Sequence, residues 1–129
     1  MGTGFDPILA DAATIASAVK SGRTTARAVA LGHLDRIDRL DPGLGAFTAV
    51  TRDRALAEAD AVDAAVASGR DPGPLAGVPY AVKNLFDVAG LTTVAGSMIN
   101  RTDAPASRDA TLVERLQGAG AVLLGALNM

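Results

Sequence analysis

The sequence contains no cysteine and no tryptophan, a single histidine, and only two lysines among its 129 residues. Without cysteine there is no disulfide framework, no thiol nucleophile and no zinc ribbon. The lone His33 leaves little scope for a histidine metal site or a Ser-His-Asp triad within these residues. Aromatic residues (Phe5, Phe47, Tyr80 and Phe86) make up only 3% of the chain, so the core has to be assembled from Ala, Leu, Val and Ile. An excess of positive charge is missing too. The formal net charge is -2, and no Lys/Arg cluster could neutralise a run of phosphates, which excludes nucleic acid as the expected partner. The longest apolar run, 119–127, is about half of what a membrane span requires. Residues 1–7 carry neither a basic nor an apolar signal region, so the expected setting is the cytoplasm, with no membrane partner.

What is present reads as one globular unit, 49% hydrophobic and 20% charged. Asp6-Pro7 is expected to open a first helix along Ile8, Ala12, Ile15 and Val19, stopped by Gly22. Thr24 or Thr25 caps a second helix through Ala26, Ala30, Leu34, Ile37 and Leu40, ending before the turn signal Asp41-Pro42-Gly43. Residues 46–50 form a short strand or extended entry. Thr51 then caps a third helix with Leu56, Ala59, Val62 and Val66 on one face and Gly69 at its end. Residues 70–79 hold too many Pro and Gly for regular structure, and a buried strand over 80–83 emerges from them. The Gly/Thr-rich stretch 84–100 shows little periodicity and reads as a functional loop. Asp109 is expected to cap a helix through Leu112, Val113 and Leu116, followed by a second buried strand at 121–124.

Strand, helix, strand is a parallel crossover. The predicted fold is therefore α/β within a single domain over 1–129: a mainly helical layer (1–69) covering the first strands of a mixed sheet (70–129). Parallel strands prefer cover on both faces, and the last residues follow an apolar strand, where parallel units place their functional loops. The expectation is the N-terminal part of a longer protein with an incomplete sheet.

Arg outnumbers Lys five to one, so a lysine kept in an apolar stretch draws attention. Lys83 closes the strand 80–83. An ordinary lysine has a pKa of about 10.4, whereas a base working near neutral pH needs about 7 to 8. That difference is on the order of 4 kcal/mol, within what desolvation supplies. Arginine cannot substitute, because it does not deprotonate in proteins. The other reading of Lys83 is a strand-end side chain that reaches out to water. Ser97 lacks a nucleophile elbow and reads as a loop cap. Thr92 and Thr93 either donate into a site or brace the loop. Asp87 either orients a base or, the preferred reading, accepts a backbone hydrogen bond, and His33 reads as a half-buried packing residue. No phosphate-binding glycine motif is present.

The run 73–97 (Gly-Pro-Leu-Ala-Gly-Val-Pro-Tyr-Ala-Val-Lys-Asn-Leu-Phe-Asp-Val-Ala-Gly-Leu-Thr-Thr-Val-Ala-Gly-Ser) resembles the lysine-bearing segment of the amidase signature family. The run 109–129 continues the pattern, and residues 21–26 and 44–47 resemble that family's N-terminal helices and first strand. The resemblance implies amide hydrolysis by a Ser, cis-Ser, Lys triad, with Lys83 as the base, and neither a metal nor an organic cofactor. The two serines and the oxyanion-hole amides would lie in a Gly/Ser-rich motif that these residues do not contain, so the chain by itself is expected to be inactive. Met129 is expected to line the substrate pocket. Many members carry Asp where this sequence has Asn84. Asn84-Leu85-Phe86-Asp87, Ala95-Gly96-Ser97 and Ile99-Asn100-Arg101-Thr102 resemble the biuret and carboxybiuret hydrolase branch most. That branch implies a small amide or ureido substrate, homodimerisation and a small accessory subunit. The alternatives are the glutamine-hydrolysing component of glutamyl-tRNA amidotransferase and, in a different class, a non-catalytic structural or binding module.

Overall fold

A computed structural model describes residues 5–128. The chain folds as an α/β unit in which three helices cover one face of a mixed three-stranded sheet and a fourth helix packs on the other.

The first helix, α1 (Ala12–Ser21), begins later than Asp6-Pro7 predicted. Asp6 stabilises only a single turn, accepting from the Ile8 amide at 2.9 Å. Asp11 is the residue that caps α1, accepting from the Thr14 amide at 2.8 Å. Gly22 ends the helix at φ 80°, as expected. Thr25 caps α2 (Ala26–Leu44) through the Ala28 amide. This helix runs through Asp41-Pro42-Gly43 instead of stopping before it, and ends at Gly45. Pro42 falls in its last turn, where a single ladder bond is forgone. Asp41 then turns the chain outward. Its carbonyl accepts from the Gly45 amide, and its carboxylate accepts from the Ala46 and Phe47 amides. A short strand, β1 (Phe47–Val50), leads into α3 (Arg52–Ala67). After the Pro/Gly-rich segment come β2 (Pro79–Lys83), a 3-10 turn (Met98–Thr102), α4 (Thr111–Gly118) and β3 (Val122–Leu127).

The strand order is β1-β3-β2, with β2 parallel and β1 antiparallel to β3. The strand from the helical half thus completes the sheet that the two parallel strands begin. Alternation along β3 divides the core. Val122 and Leu124 pack with Val19, Val29, Leu34 and Val62 of α1–α3, whereas Leu123 packs with Val82, Val88 and Val113. Alanines fill the helical layer, Ala26, Ala55 and Ala59 being fully buried, as a chain poor in aromatics requires. Two glycines permit close approach. A Cβ at Gly120 would lie 2.3 Å from the Pro72 carbonyl oxygen, and one at Gly125 would lie 2.4 Å from that of Ala49. The first contact explains how the segment rich in Pro and Gly is held. The Leu75 and Gly77 amides donate to the carbonyls of Ala119 and Gly120 in the turn before β3.

Helix α3 is tied to the sheet through the Leu123 peptide. The Leu123 carbonyl accepts the Thr51 hydroxyl proton at 2.8 Å, so Thr51 does not make the helix cap predicted for it. The Leu123 amide donates to the buried Glu58 carboxylate at 2.9 Å. Arg54 pairs with Glu58 and forks onto both oxygens of Asp109 at 2.7 and 2.9 Å. Asp109 therefore does not cap α4, as the sequence suggested. It holds Arg54 and the Ala89 amide instead. Close by, burial and then the Glu58 charge push the Tyr80 phenol up to about 12.

Breaking this chain of charges leaves Glu58 buried and unpaired, so Arg54→Ala is expected to lose about 3–5 kcal/mol of stability in urea unfolding. The Arg54 guanidinium holds the Asp109 carboxyl below the usual carboxylate range. The stability from that lowering is fully present above about pH 4 and is lost as pH falls through the lowered folded-state value. Asp109→Asn should therefore flatten the acid limb of the stability profile. An acid limb identical to wild type would refute the assignment.

Candidate functional site

Lys83 ends β2, and the alternation of the strand sets its surroundings. Val82 before it and Asn84 after it are buried, while Lys83 is exposed and makes no side-chain hydrogen bond or ion pair with the described residues. The position predicted for it, the C-terminal end of a parallel strand, is the one it occupies. Its exposure matches the reading of a strand-end side chain that reaches water, and the base reading draws on its position.

Asn84 organises this end of the sheet. Its backbone amide donates to Leu127 of β3, and its carbonyl accepts from Ala95. Its side-chain oxygen accepts from the Val94 amide at 3.1 Å. Its side-chain nitrogen donates at 2.7 Å to the Thr48 hydroxyl, which in turn donates to the Ala126 carbonyl. One buried amide thus joins β1, β2, β3 and the loop after β2. An amide supplies both the donor and the acceptor that these contacts need. An Asp here would keep the acceptor for Val94 but oblige the Thr48 hydroxyl to leave Ala126 and donate to the carboxylate.

The loop that Asn84 draws back forms one wall of a cavity of about 520 Å³ at the carboxyl ends of β2 and β3, its polar rim formed by Thr48, Asn84, Ser97, Arg101 and Asn128. Ser97 has the capping role expected of it, its hydroxyl accepting from the Ile99 amide. Thr92 donates to the Asp103 carbonyl and Thr93 to the Asp87 carboxylate. Both threonines brace the loop, and Asp87 uses its carboxylate for that hydroxyl, not for the backbone contact preferred from sequence. His33 is half-buried and lies on α2, its Nε2 at 3.0 Å from the Pro7 carbonyl oxygen. The expected pocket residue Met129 lies outside the described residues. Arg101, quoted from sequence only within a resemblance, lines the cavity. No local pattern marks it, because its place depends on how the loop folds back. Among the described residues, no helix is long and apolar enough to cross a membrane.

Comparison with known proteins adds to this geometry. The family model described as Amidase matches residues 28–129. The chain is 57% identical over 115 residues to AtzE, the 1-carboxybiuret hydrolase subunit of Pseudomonas sp. (strain ADP), covering 89% of this chain and 25% of that protein. It is 45% identical over 124 residues to the GatA-type component of the glutamyl-tRNA(Gln) amidotransferase of Bdellovibrio bacteriovorus, covering 96% of this chain and 25% of that one. Among solved structures, it superposes at a TM-score of 0.91 and 55% identity on a chain of a vestigial protein complex that bears on the origins of an s-triazine catabolic enzyme, covering 93% of this chain and 26% of that one. The native peptide amidase of Stenotrophomonas maltophilia follows at a TM-score of 0.86 and 35% identity, covering 98% of this chain and 26% of that one. The chain thus spans about a quarter of the length of the relatives it matches.

Because Asn84 supplies both contacts through one group, Asn84→Ala should cost about 1–3 kcal/mol. Hydrogen exchange at the Val94 and Ala95 amides should accelerate well beyond that global loss. Unchanged protection at Val94 would show that the loop is held by other means.

Proposed function

The chain belongs to the amidase family, and from that premise we propose that Lys83 is the catalytic base of an enzyme that cleaves C–N bonds in small amide or ureido compounds. The observation that carries this reading is the place of Lys83. It stands at the C-terminal end of a parallel strand, exposed at the mouth of a fold whose relatives are amide hydrolases, and Asn84 locks the strand end behind it. Ligand sites of open α/β sheets gather at such strand ends.

In this reading Lys83, acting through a cis-serine, takes the proton of a nucleophilic serine as that serine attacks the carbonyl carbon. The protonated lysine returns a proton to the departing nitrogen. Water then releases the acyl group by the same relay run in reverse. Both serines and the oxyanion-hole amides belong to the remaining three-quarters of such an enzyme, so the present residues are inactive without them. Met129 faces the substrate. The substrate assigned is a carboxybiuret- or biuret-like compound, supported by a higher identity to the carboxybiuret hydrolase than to the amidotransferases. Both groups of relatives are named as subunits, which supports a small accessory partner, and we add homodimerisation by analogy. A second reading, the glutaminase-type component of an amidotransferase, is supported by the recurrence of amidotransferases among the relatives.

In full-length protein, Lys83→Met should lower kcat on the order of 10³-fold or more while KM changes little. Lys83→Arg should be equally impaired, because a guanidinium keeps its proton. Near-normal turnover in either variant would overturn the role. Turnover of glutamine but not of biuret-type compounds would transfer the assignment to the second reading.

A further inference from the structure

We propose that Arg101 is a specificity residue whose guanidinium binds a carboxylate carried by the substrate at the rim of the cavity beside β2. This rests on the functional reading above only for the identity of the ligand as substrate. The cavity, about 520 Å³, has the size of a small-molecule site. Its lining contains one cation, Arg101, and no Asp or Glu among the described residues. Arg27, Arg39, Arg52 and Arg54 each pair with a carboxylate of the fold. Arg101 pairs with none of the described residues. It is nevertheless held in place at its base. It sits in the 3-10 turn capped by Ser97, and the neighbouring Asn100 side chain donates to the Val94 carbonyl at 3.0 Å. Val94 is the residue whose amide Asn84 holds, so the turn that bears Arg101 is tied to the strand that bears Lys83.

The charge of the lining selects among ligands. A free amino acid brings an ammonium as well as a carboxylate, and the lining offers no anion to receive it. A ureido compound with one carboxylate needs only a cation and neutral hydrogen-bonding groups. The planar fork of arginine suits a carboxylate, which can accept two parallel N–H bonds from it.

The probes are N-carbamoylglycine, a stable ureido carboxylate, and biuret, its neutral counterpart, titrated calorimetrically into full-length protein. Arg101→Gln should weaken N-carbamoylglycine binding about 10- to 100-fold and leave biuret within a few-fold. In steady-state kinetics the same variant should raise KM for carboxylated substrates by a similar factor while kcat is largely kept. Arg101→Lys, which keeps the charge but not the fork, should fall between the two. Unchanged N-carbamoylglycine binding in Arg101→Gln, or an equal loss for both probes, would overturn the proposal. Loss of C–N hydrolysis as the activity, with Arg101-dependent carboxylate binding intact, would refute the functional reading and leave this one standing.

Discussion

The structure depends on how the Leu123 peptide is satisfied. This residue lies at the centre of the sheet, fully buried, on the side of β3 where β1 has already ended: β1 reaches only as far as Gly125. A buried strand edge without a neighbour carries a desolvation cost for every unpaired amide and carbonyl. Here helix α3 takes the place of the missing strand. Thr51 covers the carbonyl, and Glu58 covers the amide. Glu58 can remain ionised there because Arg54 stands beside it, and Arg54 can be half-buried because Asp109 takes both arms of its guanidinium. A buried charge pair of this kind adds little net stability over an apolar pair, yet removing one member is costly. Its effect is to fix α3, β3 and the approach to α4 in one register.

That register reaches the candidate site through β3. Once β3 is placed, its far end supplies the Ala126 and Leu127 carbonyls, which receive the Thr48 hydroxyl and the Asn84 amide. Lys83 is therefore positioned from below by the ladder between β2 and β3, and from the side by its neighbour in sequence. Neither influence touches its side chain. The strand presents the ammonium to solvent while the peptide that carries it is held from both sides.

Much of this was readable from the residues, with a pattern to the exceptions. Thr25, Gly22, the apolar run before Lys83 and the parallel crossover follow local rules, and the structure has them where the rules place them. The family and its α/β fold were legible through the segment around Lys83. The exceptions are polar residues whose partners lie far off in sequence. Asp109 and Thr51 each look like helix caps, yet their groups are drawn to Arg54 and to the Leu123 carbonyl, which lie 55 and 72 positions away. Asp87 and Asn84 behave alike, and nothing local tells an acceptor for a backbone amide from one for a hydroxyl. Pro42 misled for another reason. It ends helices only where the lost bond matters, and the last turn of α2 has Asp41 to take over. In each case a long-range bond outweighed a local preference worth about 1 kcal/mol.

The two walls of the cavity are consequently of different kinds. One is made of strand ends, backed by the Val82, Val88, Val113 and Leu123 cluster. The other, 92–103, has almost no buried apolar content. Met98 and Ile99 point outward, 74% and 85% exposed, and the wall keeps its shape through hydrogen bonds among its own residues and to Asn84. Segments held by polar contacts open at lower free energy than those held by packing. The rigid wall carries Asn84 and the strand end of Lys83, where small displacements would misplace a reacting group. The softer wall carries Arg101, where a charged contact at the rim tolerates adjustment because its attraction falls off slowly with distance. Placing chemistry on strands and selection on a loop is the arrangement this division of stability favours.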